Sequence, residues 1–271
     1  MNGHAFDLEM PRSLDEALDC LRRHGSESRA LAGGTVLLPE IAHSRVTPSV
    51  VIDLSHAELD GIKAHPGGAV IGAMTTYRQL AVAPSTAPSS RALSWLSAVA
   101  RGITGGAQIR NRGTLGGSAA YANPSSDIPA VLVALGAVLT AASAHGEREL
   151  RAEELFADAF RTRLSDDELL VSIRVPEPAP GARFGYEKLK FGESSWPIAT
   201  AAAVVSPSGS VRLGLGGCCA VPVALELSDA EHVADAVDSA TSDSWSDVLA
   251  DGAYRRGVAP VVAQRALVRA S

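Results

Sequence analysis

Residues 102–135 carry six glycines, Gly102, Gly105, Gly106, Gly113, Gly116 and Gly117, and then change into an apolar run behind Ser126, Asp127 and Pro129. No other feature restricts the fold of this chain as much. Glycine has no Cβ and reaches positive φ cheaply, so a cluster of glycines lets backbone approach backbone or a ligand closely. Successive N–H groups in such a loop can turn toward one anion. Ser126 and Asp127 are good N-caps and Pro129 suits a first helical turn, so the spacing predicts a helix that leaves the loop and ends at Gly136. Tight turns between short strands would use glycine as well. The density of glycines favours the ligand, and a phosphate fits such a loop best.

A second loop of this kind lies upstream. Residues 29–31 suit a short strand that runs into Ala32-Gly33-Gly34-Thr35, and residues 36–42 suit a helix. Strand, glycine turn and helix start form an anion cradle. Before it, Ser13 and Glu16 make a capping box, Leu14, Ala17, Leu18 and Leu21 share one helical face, and Gly25 supplies the stop. Residues 49–54 read as a buried strand, and residues 62–65 and 69–73 as a hairpin about Pro66-Gly67-Gly68. Thr76 and Gln79 form another capping box. Residues 90–101 make an amphipathic helix, with Leu93 and Leu96 inward, that delivers the chain to the glycine stretch. Residues 137–142 and 148–151 read as strands about His145-Gly146, and residues 169–175 as a strand closed by Pro176.

The segment PEPAPG at 176–181 cannot sit inside regular structure and marks a boundary. Beyond it, residues 184–189, 198–205 and 211–215 predict a small antiparallel sheet, with a turn at Pro207-Ser208-Gly209. Helices are expected at 230–240 behind Asp229, at 244–249 and at 260–270.

With 271 residues and 46% hydrophobic content the chain should fold as one large or two small domains. A net charge of −6 argues against nonspecific nucleic-acid binding and against an anionic membrane surface, so any phosphate must be held by local amides and helix dipoles. Cys20, Cys218 and Cys219 have no C-x-x-C spacing, which removes an iron–sulfur or zinc site and leaves small buried residues of a reducing compartment. The seven histidines, His4, His24, His43, His56, His65, His145 and His232, have no ligand spacing. Residues 1–11 lack a secretory pattern and no apolar run approaches the ~20 residues of a membrane span, so a cytoplasmic protein is expected. Dinucleotide-fold, P-loop, zinc-hydrolase and serine-hydrolase motifs are absent from the sequence.

Several motifs in order, Ala32-Gly33-Gly34-Thr35, Leu37-Leu38-Pro39, Ile71 to Thr76, Gln108-Ile109-Arg110-Asn111, Gly113-Thr114-Leu115-Gly116-Gly117, Ser126-Asp127, Tyr186-Glu187-Lys188, Trp196-Pro197, Leu215-Gly216-Gly217 and Tyr254-Arg255-Arg256, resemble the FAD-binding medium subunit of the molybdenum hydroxylases. The resemblance spans nearly the whole chain. It implies an α+β fold: a two-part FAD-binding region of the vanillyl-alcohol-oxidase-like (PCMH) type over residues 1–175, with lobes of about 1–57 and 58–175, then a C-terminal domain at 182–271 with a small antiparallel sheet and a helical bundle.

The resemblance also implies noncovalent FAD, its pyrophosphate between the two glycine loops. One loop would supply Ala32, Gly33, Gly34, Thr35, Val36 and Leu37, the other Thr114, Gly116, Gly117 and Ser118. Amides of both loops and the hydroxyls of Thr35, Thr114 and Ser118 would donate. Ser118 stands where the family usually has Asn. Ser126 and Asp127 match the family's Ser-Asp, the Asp lying near the adenine end, although N-capping alone would also explain Asp127. Lys188 matches a basic residue near the isoalloxazine, with an exposed strand lysine as the alternative, and Leu170 and Trp196 match apolar positions beside the ring. Arg110 and Arg112 build the loop. No residue is implied in proton transfer. The partners implied are a molybdopterin-binding large subunit and a two-cluster iron–sulfur small subunit, with electrons passing through FAD to NAD or another acceptor. A free-standing flavoenzyme, or a noncatalytic subunit that has lost FAD, remains open on the residues alone.

Overall fold

The computed structural model describes residues 5–83 and 90–270. His4 and the first residues of the N-terminal segment read above for a leader lie outside them.

The first layer is β1 (Asp7–Glu9), α1 (Leu14–His24), β2 (Ser28–Leu31), α2 (Leu37–Ala42) and β3 (Val50–Asp53), with strand order β1-β3-β2 and both pairings parallel. Ser13 accepts the Glu16 N–H, and α1 buries Ala17, Leu18, Cys20 and Leu21 until Gly25, at φ +52, stops it. The Glu16 carboxylate takes the Arg12 N–H instead of that of Ser13, so the capping box is half formed. A parallel sheet opens a crevice at the carboxyl ends of its strands. The first glycine turn, between β2 and α2, lies at such an end.

The second layer is β4 (Ile62–His65), β5 (Gly68–Gly72), α3 (Tyr77–Val82), α4 (Arg91–Arg101), α5 (Gly106–Arg112), α6 (Leu115–Tyr121), α7 (Asp127–Leu135), β6 (Val138–Ser143), β7 (Gly146–Arg151), α8 (Ala152–Leu155), β8 (Phe156–Asp158), β9 (Arg161–Thr162) and β10 (Leu169–Pro176). Its sheet runs β4-β5-β10-β6-β7, antiparallel throughout. The glycine stretch, expected as loop, is folded into the short helices α5 and α6. Glycine is a poor helix former, but Thr114 caps α6 by accepting the Gly117 N–H, and tertiary contacts override propensity.

The third layer is β11 (Arg183–Lys190), β12 (Pro197–Val205), β13 (Val211–Gly216), β14 (Val223–Leu227), α9 (Val233–Ala240) and α10 (Gly252–Arg269). The four strands are antiparallel in sequence order. Every residue of α7 is buried, because this helix lies between the second and third layers. Beyond Asp127 the helix is apolar on every side, the sequence such a position requires. On β12, Ala199, Ala201 and Ala203 face a core shared with α9 and α10, while Ala202 and Val204 face the core that holds α7. Glycine permits the closest approaches: a Cβ on Gly185 would lie 1.8 Å from the Ala266 carbonyl oxygen, and one on Gly214 would lie 2.0 Å from that of Ala130.

The C-terminal helices differ from expectation. Residues 244–249 form an irregular loop, because Trp245 and Asp247 are spent on bonds to Gly217 and Arg255. Helix α10 begins at Gly252, capped by Asp251, and runs through Pro260. Asp229 accepts the Glu231 N–H in a local turn, so α9 starts at Val233. Strand β14 is not among the expected strands, since Val223 to Leu227 is a short segment with a single charged residue, Glu226, and no sustained alternation.

Candidate functional site

After β2 the chain turns through Gly34, at φ +71, and enters α2. The N–H groups of Gly33, Gly34, Thr35 and Val36 donate to no acceptor among the described residues, and all four residues are partly exposed. Backbone donors in folded chains are almost always paired. Consecutive free donors at the end of a parallel strand and the start of a helix form an anion cradle, and they fit the pyrophosphate of a dinucleotide.

The second glycine loop meets the first but plays another part. Four of its N–H groups are already used: Leu115 donates to the Thr75 carbonyl and Gly116 to that of Ala73, both at 2.9 Å, while Gly117 donates to Thr114 Oγ1 and Ser118 to the Thr114 carbonyl. For Gly116, Gly117 and Ser118 the expectation of free amide donors therefore needs correction, because the β5–α3 link takes the first of these N–H groups and Thr114 takes the other two. Its glycines let surfaces close instead. A Cβ on Gly116 would lie 2.5 Å from Ala73 Cβ, one on Gly33 would lie 1.9 Å from the Arg112 carbonyl oxygen, and one on Gly117 would lie 3.4 Å from Ala32 Cβ. Thr114 is buried as the cap of α6, and the Ser118 hydroxyl is bonded to that of Tyr77.

At the head of α7, Asp127 is buried and its carboxylate accepts from Lys188 Nζ at 2.7 Å and from the Tyr186 hydroxyl. Lys188 also donates to the Gly102 carbonyl at 2.8 Å. Burial, reinforced by Asp127, pushes the Tyr186 phenol well above its ordinary value. Ser126 occupies the N-cap position without a side-chain cap bond, and Asp127, one residue on, turns to the ion pair. Neither bland alternative therefore holds, since Lys188 is no free surface lysine and the Asp127 side chain is no cap. The separate placements implied for them also need correction. Two groups in one ion pair cannot mark opposite ends of an extended dinucleotide.

Leu170 is buried in the core on β10, beside a register shift against β6. Trp196 is 44% exposed just before β12, and Phe191, in the same β11–β12 connection, is 85% exposed. Arg110 donates to the Ile103 carbonyl, consistent with loop building. Sequence reasoning missed Tyr77, Tyr186 and the Gly102 carbonyl. The two-residue spacing of Tyr186 and Lys188 on a strand was the available signal, because it puts both on one face. The hydroxyls of Thr104, Ser125 and Thr200 are buried without a partner among the described residues.

Two surface clefts lie elsewhere. One of about 380 Å³ is lined by Arg29, Arg45 and Thr47, and one of about 280 Å³ by Ile62, His65 and Glu177. Neither includes a glycine loop, and the free amides carry more chemical information than either volume. Asp229, Glu231 and His232 bring ligand atoms within 4.8 Å of one another, but all three are exposed.

An anion cradle on a parallel βα unit, walled by a second glycine loop, fits a dinucleotide-binding protein of α+β class. Residues 4–178 match the family described as the FAD binding domain in molybdopterin dehydrogenase, and the chain belongs to it. It is 32% identical over 280 residues to the carbon monoxide dehydrogenase medium chain of Hydrogenophaga pseudoflava, covering 97% of this chain and 96% of that one. It is 32% identical over 284 residues to the nicotine 6-hydroxylase medium subunit of Paenarthrobacter nicotinovorans, covering 98% and 97%. A solved structure of carbon monoxide dehydrogenase from Hydrogenophaga pseudoflava superposes with a TM-score of 0.91 at 31% identity, over 100% of this chain and 98% of that one. The chain is an FAD-binding subunit of the molybdenum-hydroxylase type and an FAD-dependent oxidoreductase component. No helix among the described residues is long and apolar enough to cross a membrane.

Proposed function

We propose that the chain is the electron-transfer subunit of a molybdenum-hydroxylase-type dehydrogenase. It would work in the cytoplasm beside a molybdopterin-binding large subunit and a two-cluster iron–sulfur small subunit, without a nucleic-acid or membrane partner. Electrons leave the clusters and reach NAD or another acceptor. The observation that carries this reading is the run of four unpaired N–H groups at residues 33–36, facing a second glycine loop. The names medium chain and medium subunit of the relatives favour an assembly. Because full-length relatives carry such different substrate names as carbon monoxide and nicotine, the choice of substrate falls to a partner.

FAD, when bound, supplies the redox chemistry, and the protein supplies position and electrostatics. Gly33, Gly34, Thr35 and Val36 donate to the pyrophosphate, and Leu37 opens the helix whose dipole favours the anion. Gly33 lets the two loops close, Ala32 and Gly117 meet where they touch, Gly116 lets α6 seat on Ala73, Thr114 holds the start of α6, and Ser118 would add a hydroxyl. Ser126, Asp127 and Lys188 would border the isoalloxazine, and Leu170 would contribute to its apolar surroundings. Residues 1–175 form the FAD-binding region and residues 182–271 the C-terminal domain.

The test is to purify the full chain, measure bound FAD, and mix it anaerobically with organic substrates and separately with NADH while following flavin absorbance. One FAD per chain, with no bleaching by organic substrates, is expected. Rapid bleaching by such a substrate with no other protein present would overturn the subunit reading in favour of a free-standing flavoenzyme. Protein that neither carries nor takes up FAD would overturn cofactor binding.

A further inference from the structure

We infer that Tyr77 is a positioning residue for the pyrophosphate, its phenol holding the Ser118 hydroxyl so that Ser118 offers its proton to a phosphate oxygen between the glycine loops. This rests on the FAD reading above. Tyr77 is 3% exposed and opens α3. Its N–H donates to the Gly113 carbonyl at 3.0 Å, and its neighbour Thr76 bridges Thr114. A Cβ on Gly113 would lie 3.0 Å from the Tyr77 ring, so the backbone leading into α6 rests directly on that ring.

The two hydroxyls are bonded to each other, and the Tyr77 phenol is buried with no other acceptor for its proton among the described residues, so that proton goes to Ser118. Ser118 Oγ then accepts and keeps its own proton for a third group. A helical serine can give that proton to the carbonyl four residues back. Here that carbonyl, Thr114's, takes the Ser118 N–H, and no bond from Ser118 Oγ to it is present among the described residues. The donor is unspent.

Its direction follows from α6. Residues 114, 117, 118 and 121 share one helical face. Gly117 on that face approaches Ala32, and Tyr121 feels the charges of Glu40 and Arg45 beyond the first loop. Ser118 lies between them on the face that α6 turns toward the first loop, the side from which, on this inference, it would reach an anion held by the N–H groups of residues 33–36. An acceptor shared by these donors is an anionic diphosphate.

The test is a double-mutant cycle on FAD affinity, using the apo full chain and flavin fluorescence. Tyr77→Phe keeps the ring and is expected to weaken FAD about 3–10-fold, and Ser118→Ala about 10-fold or more, as for a hydrogen bond to a charged group. The double variant should bind no more weakly than Ser118→Ala alone, a non-additivity that a packing defect at Tyr77 would not produce. Losses that multiply, or an unchanged affinity in Tyr77→Phe or in Ser118→Ala, would overturn the inference while FAD binding by the unaltered chain still stands. Failure of the unaltered chain to bind FAD would instead overturn the functional reading, and this inference with it.

Discussion

The Asp127 carboxylate and the Lys188 ammonium meet at 2.7 Å with their side chains 3% and 17% exposed. Each is the other's counter-charge, the Tyr186 hydroxyl donates to the same carboxylate oxygen, and the ammonium also donates to the Gly102 carbonyl. A ligand beside this pair therefore meets a dipole with little net charge, although Lys188 considered alone suggests a cation. The pair also ties β11 of the third layer to the head of α7 and the end of α4.

Removing one partner exposes the other. Lys188→Met leaves a buried carboxylate, which disfavours anionic reduced flavin, so the potential should fall. Asp127→Asn leaves the ammonium, so the potential should rise. An interaction of ~1–2 kcal/mol corresponds to roughly 20–40 mV for a two-electron couple. Redox titration of the FAD-loaded variants checks the signs, and unchanged potentials in both would remove the pair from the ring end. Both variants should also lose stability, by ~3 kcal/mol, because breaking a buried pair strands a charge.

The glycines differ in what they permit, and the difference is measurable. Gly33→Ala puts a methyl 1.9 Å from the Arg112 carbonyl oxygen, which is backbone and cannot turn aside. The loops must separate, and FAD affinity should drop at least ~100-fold. Gly257→Ala in α10 meets nothing within 4 Å and should raise stability by ~0.5–1 kcal/mol, the ordinary gain of alanine over glycine in a helix. Retained FAD in Gly33→Ala would take the contact between the loops out of the site.

These contrasts show how far the sequence could be read. Local signals of known chemistry were legible: the Ser13 and Thr76 caps, the hairpin at Gly67 and the turn at Gly34 all follow from side-chain donors or positive φ. Both glycine loops could be recognised, but not their division of labour, which depends on Ala73 and Thr75 capturing amides some 40 residues away in sequence. The same holds for Asp127 and Lys188, which are brought together by sheet packing with no local trace. Residues 244–249 were misjudged because a buried arginine on another element decides their conformation.

The cysteines give a prediction that depends on burial. The Cys218 thiol is pushed up to about 12, mainly by burial and further by Cys219. Because the thiolate is the reactive form, Cys218 should resist iodoacetamide at pH 8 in the folded chain and react once the chain is unfolded. Mass spectrometry of labelled peptides checks this, and fast labelling of folded protein would mean that the site opens.

Arg255 is fully buried, and it holds the C-terminal layer at the point where its strands, helix and irregular loop converge. Nη1 donates to the carbonyls of Ile198 and Gly217 at 2.5 and 2.7 Å, Nη2 bonds Asp247, and Nε donates to the Ala250 carbonyl at 3.3 Å. The guanidinium lies 5.1 Å from the Trp245 ring centre. A planar fork can serve the start of β12, the end of β13 and a loop together, whereas a lysine has one point of charge and cannot span them. Arg255→Met strands Asp247 and the Ile198 carbonyl, so it should lower unfolding free energy by ~3–5 kcal/mol. Arg255→Lys keeps the charge but should still lose ~2 kcal/mol, the scale of a buried group left without its partner. Urea unfolding of the apo chain measures both, with the slope unchanged if only the native state is affected. A loss below ~1 kcal/mol in Arg255→Met would show that the layer is held by its alanine-lined core instead.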